Sequence, residues 1–312
     1  MEFSAVVIVI ISALLHAGWN VLGKSNQGSG SSFFLASGFA AAAILTPYLI
    51  WYVHSVGLSN ILLPFWQLVF LSGICQIIYL IGLGAAYKQA DIGVIYPMAR
   101  ALPVLMVGLG TVLIGYELSL NQWLGFALIT LGCLFVPLKQ FSELRLKAYL
   151  NLGVLWALIA AIGTTGYSII DKEALLLLDP LSTPVITNKH TAIFYLGIQF
   201  WAIVIPLSLW LLVSNQKIEF HNAWLLRKRA TLAGIMMAST YGLVLFAMTM
   251  TENVSLVVAL RQVSIIFGVV MGIYFLKEKW HATRGVGVVF IIAGLVISLT
   301  LKEIKSYLQP IM

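Results

Sequence analysis

The sequence is poor in charged residues. Only 9% of its 312 residues are Asp, Glu, Lys or Arg, whereas 61% are hydrophobic and the mean hydropathy is +0.99. A soluble domain uses about 25% charged residues to cover its surface. The composition therefore excludes a soluble globular protein and predicts a multi-pass protein of a cell inner membrane or plasma membrane.

Residues suited to metal, redox or nucleotide chemistry are also scarce. The two cysteines, Cys75 and Cys133, lie in apolar runs at no metal-ligand spacing, so they are interpreted as packing residues without a disulfide. No Walker A motif is present, which argues against ATP hydrolysis by this chain. The net charge of +7 could suggest a nucleic-acid partner, but the basic residues lie in short loops between apolar runs. That placement is typical of membrane topology.

Apolar runs long enough to cross a bilayer dominate what remains, and no loop between them is long enough to fold as a domain. They predict an all-α fold with ten transmembrane helices. These lie at residues 3–23, 31–54, 64–87, 92–115, 120–138, 149–171, 188–213, 230–251, 254–276 and 282–301.

The two halves of the chain are copies of one unit. At a constant offset of 161, Asp91, Arg100, Pro103 and Glu117 match Glu252, Arg261, Ser264 and Glu278. At an offset of 162, Gly125 and Gly132 match Gly287 and Gly294. Earlier in each half, and at a different offset, GWNVLGK (Gly18 to Lys24) is similar to GYSIIDK (Gly166 to Lys172). The chain is therefore predicted to consist of two five-helix repeats, residues 1–140 and 149–302.

An odd number of helices in each repeat makes the second copy enter the membrane from the opposite side. The halves are then an inverted repeat, related by a pseudo-twofold axis in the membrane plane, and the shared site is expected near the midplane. At a rise of about 1.5 Å per residue, Arg100 lies about 9 Å inside the hydrocarbon, and Arg261 lies equally deep from the other face.

An arginine at that depth must face protein or a water-filled cavity, because exposure to lipid costs about 2.5 to more than 10 kcal/mol. Two interpretations stay open. Arg100 and Arg261 either pair with carbonyls or carboxylates and lock the bundle, or they bind a carboxylate, phosphate or phosphonate. Pro97 and Pro103 favour a broken helix at this point, which would free backbone groups for binding.

Polar side chains recur at helical spacing on three predicted helices, and lipid would not tolerate them. They must line a cavity or a contact between helices. The sets are His16, Trp19 and Asn20; Ser72, Cys75, Gln76 and Tyr79; and Asn188, Thr191, Tyr195 and Gln199. The GxxxG pair Gly268 and Gly272 predicts close helix packing within the monomer in preference to a dimer face.

Several of these segments together resemble one family. LHAGWNVLGK, YPMARALPVL, the turn at Glu117 that precedes Gly125 and Gly132, and the duplicated half resemble the EamA-domain family of the drug/metabolite transporter superfamily. The resemblance covers nearly the whole chain. It implies ten helices in two inverted halves and the movement of small metabolites, often the export of amino acids or related compounds.

We therefore predict a secondary transporter, more specifically an exporter, of a small anionic or zwitterionic metabolite that works by alternating access. The candidate substrate-binding residues are Arg100, Arg261, Trp19, Asn20, Tyr79, Tyr96, Tyr167 and Tyr241. No catalytic residue, metal or cofactor is expected. The expected partners are the small-molecule substrate and the lipid bilayer, without nucleic acid, and the chain is expected to be a monomer or a homodimer.

An alternative is an integral-membrane enzyme or translocase that acts on a phosphate-bearing, lipid-linked substrate. Such an enzyme should carry clustered acidic or histidine residues near one interface for metal or nucleophile chemistry. The five histidines of this chain are instead scattered singly.

The basic residues predict the orientation of the chain. Twelve Lys and Arg residues lie in the loops on one side and four on the side that holds both termini. The positive-inside rule makes the twelve cytoplasmic and places both termini outside. Characterised members of the resembling family are usually described with both termini in the cytoplasm, so the charge count departs from the family.

The first testable prediction concerns this orientation. The loop that holds Arg145 and Lys147 should be cytoplasmic, so a cysteine placed there should not react with a membrane-impermeant thiol reagent in intact cells. A cysteine at Ser182, in a loop predicted to face outward, is the matched control and should react. Labelling of the first cysteine from outside would reverse the orientation and leave the inverted repeat intact.

Overall fold

The computed structural model describes residues 3–23, 30–89, 92–136, 138–143, 151–277 and 279–308. Within these ranges the chain forms eleven α-helices, three short 3-10 turns and no β-strand. The helices are α1 (Phe3–Gly23), α2 (Gly30–Val56), α3 (Leu63–Gln89), α4 (Ile92–Leu113), α5 (Leu120–Phe135), α6 (Leu152–Leu178), α7 (Asn188–Val213), α8 (Ile218–Thr249), α9 (Val254–Leu260), α10 (Val263–Leu276) and α11 (Ala282–Leu308).

Among the described residues, seven helical segments are long and apolar enough to cross a membrane. They are Ser31–Val56, Leu63–Leu83, Leu152–Leu181, Asn188–Val213, Ile218–Thr249, Val254–Tyr274 and Ala282–Leu299. The other three predicted spans correspond to the shorter apolar stretches Phe3–Gly18, Ala99–Leu113 and Leu120–Phe135. The all-helical, multi-pass class that the composition predicts is therefore confirmed.

Side chains at the helix starts explain why several helices begin where they do. Ser119 forms a capping box with Gln122 at the start of α5. Asn151 accepts a 3.0 Å hydrogen bond from the Val154 N–H at the start of α6, and Asn253 accepts a 2.8 Å bond from the Ser255 N–H at the start of α9. Each cap satisfies an N–H group that the helix itself leaves without a partner.

Helix contacts follow nearly the same pattern in the two halves. Helices α1 to α5 of the first half correspond in order to α6, α7, α8, the pair α9 and α10, and α11 of the second half. When each helix is replaced by its counterpart, most helix–helix contacts correspond to other contacts that are present. The exchanged pairs are α3–α6 with α1–α8, α2–α8 with α3–α7, and α4–α6 with α1–α10, while α2–α7 and α5–α11 map onto themselves.

The α5–α11 contact is a close backbone approach between the halves. A Cβ on Gly125 would lie 2.5 Å from the carbonyl oxygen of Gly294, and a Cβ on Gly132 would lie 2.6 Å from that of Gly287. Both relations are reciprocal, and the two helices run antiparallel through them. Only glycine allows two backbones to approach so closely, which explains why these four positions match between the repeats.

One predicted helix is broken, and it is not the one that carries the prolines. α4 continues through Pro97 and Pro103, whereas the predicted span 254–276 divides into α9 and α10 at Arg261 and Gln262. The Gln262 N–H donates to Ala259 O at 3.0 Å, and its side-chain Nε2 donates to Val258 O at 3.2 Å. A side chain has therefore replaced the backbone donor at Val258 O, which is a recognised cause of helix interruption.

Two further expectations need correction. The predicted span 230–251 begins earlier, because α8 starts at Ile218. At Gly268, no described atom lies within 4 Å of the position that a Cβ would occupy, so the predicted close packing is not found there.

The second testable prediction uses this contrast between glycines. Gly132→Ala should lower the free energy of unfolding by about 1–3 kcal/mol, because the new methyl group meets the Gly287 backbone. Gly268→Ala is the matched control and should be neutral or slightly stabilising, since alanine favours helix over glycine. Thermal unfolding of the purified variants in detergent measures both, and equal losses would contradict the α5–α11 packing.

Candidate functional site

The interruption between α9 and α10 places Arg261 at the end of a short helix inside the bundle. The Arg261 N–H closes α9 by donating to Val257 O at 3.0 Å, and its carbonyl accepts from the Ser264 N–H at 3.1 Å. The side chain is half-buried. Next to it, Gln262 is buried, and its Oε1 has no hydrogen-bond partner among the described residues. The break therefore places a cation and an amide oxygen without a described hydrogen-bond partner inside the protein.

Arg100 reaches the same place from the other half of the chain. It lies on α4, and its Nη2 donates to the Ser264 Oγ on α10 at 3.1 Å. A second contact joins these antiparallel elements, because the hydroxyls of Thr111 and Ser255 lie 2.8 Å apart. His16 on α1 interacts electrostatically with both arginines. Two guanidinium groups and an imidazole thus share one region.

The two arginines have different surroundings although they occupy matching positions. The repeat counterpart of Ser264 is Pro103, which offers no hydroxyl, so Arg261 cannot make the bond that Arg100 makes. Its guanidinium carbon lies instead 5.9 Å from the centre of the Tyr241 ring. A cation over an aromatic face is stabilised by the ring electrons.

Three tyrosines continue from Arg261 into the bundle. Tyr241 on α8 meets Tyr167 on α6 edge to face at 6.2 Å, and Tyr167 meets Tyr79 on α3 at 6.1 Å. Edge-to-face contacts of this kind are the favoured geometry of aromatic pairs. The row joins three helices and ends at Arg261.

Beyond Tyr241 lies a buried carboxylate, Asp171 on α6. Its Oδ2 accepts a hydrogen bond from the Tyr241 hydroxyl, and its Oδ1 accepts from Ser72, from the Tyr195 hydroxyl at 2.8 Å and from Gln199 at 2.7 Å. The carboxylate is inaccessible to solvent. Four neutral donors from α3, α7 and α8 therefore satisfy this carboxyl group inside the membrane-spanning bundle, as burial of a group that can carry a charge requires.

Gln199 ties this cluster together. Its Nε2 lies 2.7 Å from each of three acceptors, the Ser72 and Tyr195 hydroxyls and Asp171 Oδ1, and its Oε1 accepts from the Gln76 amide. The polar stripes predicted on the third and seventh helices thus meet each other, as expected for a contact between helices.

The structure brings together five of the eight predicted site residues. Arg100, Arg261, Tyr79, Tyr167 and Tyr241 are joined directly or through Ser264. The side chains of Trp19, Asn20 and Tyr96 lie outside the described part of the structure, so their predicted placement stays a prediction.

Asp171 was missed at the level of sequence. It is the acidic residue in GYSIIDK, and the matching position in the first copy is Gly23. The signal that could have identified it is this difference between the repeats, together with an acid inside an apolar run.

Lys172, the next residue, forms its hydrogen bonds at a different end of the bundle. It is buried, and its Nζ donates to Met248 O at 2.9 Å and to Thr251 O at 2.6 Å, at the C-terminus of α8. A cation bonded to the last carbonyls of a helix stabilises that end. A recess of about 310 Å³ lies beside it, lined also by Tyr116 and Glu252, and away from the two arginines.

Comparisons with known proteins agree with this architecture. Residues 151–300 match the model of the EamA-like transporter family. A solved crystal structure superposes with a TM-score of 0.68 at 16% sequence identity, covering 97% of this chain and 99% of that chain. At that identity the likeness shows the fold alone. The comparison with curated proteins finds no match.

The fold is that of a multi-pass helical membrane protein, and the family match indicates a membrane transporter. Its second half belongs to the EamA-like transporter family, within the drug/metabolite transporter superfamily. The family resemblance found in the sequence is thereby confirmed.

The third testable prediction concerns the cluster around Asp171. Tyr195→Phe removes a 2.8 Å donor from a buried carboxylate and should lower the free energy of unfolding by about 1–3 kcal/mol. Tyr52→Phe is the matched control, because Tyr52 is equally buried but its hydroxyl lies 3.4 Å from that of Thr191. Thermal unfolding of both variants should separate them, and equal melting temperatures would contradict a stabilising network.

Proposed function

We propose that the chain is a secondary transporter of a small metabolite with an anionic group, either an anion or a zwitterion, and that Arg100 and Arg261 bind that group. The observation that carries this proposal is the convergence of the two arginines. One comes from each half, and Arg100 bonds Ser264, three residues beyond Arg261. A planar guanidinium presents paired donors that suit carboxylate and phosphate.

The environment of Arg261 supports a binding role. The described residues give its guanidinium the Tyr241 ring face but no acceptor oxygen at hydrogen-bond distance. Discontinuous helices are also where transporters expose backbone and polar groups to substrates. The tyrosine faces beside it could accept the ammonium group of a zwitterion through cation–π contact.

The same proposal includes the ten-helix inverted topology, with repeats at residues 1–140 and 149–302. The reciprocal glycine pairs between α5 and α11 support this topology. A twofold axis that relates two antiparallel helices is perpendicular to both, so for helices that cross a membrane it lies in the membrane plane. The exchange of helix contacts between the halves supports it as well. In such folds the substrate site lies near the membrane midplane, where the repeats meet.

Alternating access is supported by a difference between matching positions. A Cβ on Gly166 of α6 would lie 2.6 Å from Cys75 Sγ on α3, whereas a Cβ on its counterpart Gly18 of α1 would have no described atom within 4 Å. The bundle is thus tightly packed between α3 and α6 and looser at the equivalent place beside α1. In a second arrangement, the packing beside α1 would be tight and the packing between α3 and α6 loose. Alternation between the two arrangements would expose the site to opposite sides of the membrane in turn. We keep export as the proposed direction.

The fourth testable prediction separates binding from structural roles of the arginines. Arg100→Gln and Arg261→Gln should each weaken substrate affinity by about 10-fold to 100-fold, because each removes charged hydrogen bonds. Lysine in either position should weaken it less, since the charge remains without the planar fork. Arg227→Gln is the control, because Arg227 is exposed and contacts Trp224.

The measurement starts with a thermal-shift panel of the L-amino acids and small carboxylates on the purified chain. Compounds that stabilise the protein are then tested for affinity and for counterflow in proteoliposomes. If both Gln variants keep the parent affinity and only their melting temperatures fall, the arginines are structural and the binding proposal is wrong.

A further inference from the structure

Asp171 holds a charge that the proposed substrate site does not require. The carboxylate is fully buried, and its hydrogen-bond donors among the described residues, Ser72, Tyr195, Gln199 and Tyr241, are all neutral. The adjacent Lys172 is directed to the carbonyls at the end of α8. Among the described residues, no directly bonded cation therefore fixes Asp171 in its charged form, and one proton would remove the cost of its burial.

The two oxygens of Asp171 differ in a way that selects where a proton would go. Oδ1 accepts from three donors, whereas Oδ2 accepts only from Tyr241. A proton on Oδ2 forms one O–H bond, and this group then donates to the Tyr241 oxygen. The Tyr241 hydrogen turns away from Asp171, and the three bonds to Oδ1 remain.

The charged and titratable groups around Asp171 come from each packed element. They are Cys75 on α3, Tyr195 on α7, Tyr241 on α8, and Arg261 at the break, while α4 presents Arg100, which bonds Ser264. Arg261 attracts the Asp171 charge electrostatically, and the same Tyr241 that bonds Asp171 lies under the Arg261 guanidinium. Tyr241 therefore connects the acid to the proposed anion site.

We propose that Asp171 is a proton-binding site linked through Tyr241 to Arg261, so that an anionic group at the arginines moves together with a proton. The second part rests on the proposed function. While Asp171 is charged, it partly balances Arg261. Protonation removes that balance and strengthens the attraction of Arg261 for an anion, and by linkage a bound anion favours the proton at Asp171. The direction of movement then depends on the two gradients.

The first test needs no substrate. Infrared difference spectra of the purified full-length protein, recorded between alkaline and acidic pH, report the carbonyl stretch of each carboxyl group that becomes protonated. Asp171→Asn should lose one such band that the parent shows. Asp179→Asn, which changes an exposed acid, should keep it. The same Asp171 band in all three proteins would overturn the proton site.

The second test examines the link and retains Asp171, so it remains decisive if Asp171→Asn does not fold. In Arg261→Gln the protonated band should persist to a pH about one unit higher, because a nearby positive charge has been removed. In Tyr241→Phe the band should change frequency, because Oδ2 loses its hydrogen-bond partner. Arg227→Gln should match the parent. Parent-like behaviour of both the Arg261 and Tyr241 variants would overturn the link.

The third test separates this inference from the proposed function. A compound found by the thermal-shift panel is applied to proteoliposomes that contain a pH-sensitive dye, with and without Asp171→Asn. Proton movement with the compound should be seen in the parent and lost in the variant, and transport without proton movement in the parent would overturn the coupling. A panel without any binding compound would contradict the proposed function, while the infrared result would still decide the proton site.

Discussion

Inside a bilayer every polar group must find its partner within the protein, and this constraint governs the whole molecule. Backbone groups meet it by forming helices. The Asp171 carboxyl group is the strictest case among the described side chains, because it can carry a full charge and is fully buried. Its donors come from three different helices, so the packing of α3, α7 and α8 against α6 depends on satisfying that one group.

The proposed duplication accounts for both the matching helix contacts of the two halves and the differences at the site. The four glycines that permit backbone contact between α5 and α11 match between the copies, namely Gly125, Gly132, Gly287 and Gly294. Positions that shape the polar interior have diverged. The position of Ser264 in the second copy matches Pro103 in the first, and the position of Asp171 matches Gly23. Among the described residues, the buried acid and the helix break both come from the second half of the chain.

The sequence predicted which polar residues share a helix face, but it did not predict which residues they contact on neighbouring helices. Helical spacing placed Ser72 with Gln76 on one face and Tyr195 with Gln199 on another, and these faces meet in the structure. Spacing along a single helix fixes which residues share a face but not which face lies opposite. Asp171, where the two stripes converge, was therefore not predicted.

The position of the helix break also could not be predicted from local sequence signals. Proline is the usual local signal for an interruption, and it indicated the segment around Pro97 and Pro103, which is a continuous helix. The actual break follows from the Gln262 side chain taking over the hydrogen bond to Val258 O, a choice that depends on how Gln262 is buried. No local propensity encodes it.

Composition and periodicity by themselves determined the membrane class and the apolar segments and predicted the duplication, because these depend only on residue types and their order along the chain. The tertiary structure alone decided which arginine bonds Ser264, which one lies over Tyr241, and that Asp171 is held by four neutral donors. These relations join residues far apart in sequence, and they arise only when the helices pack and leave each buried polar group a limited choice of partners.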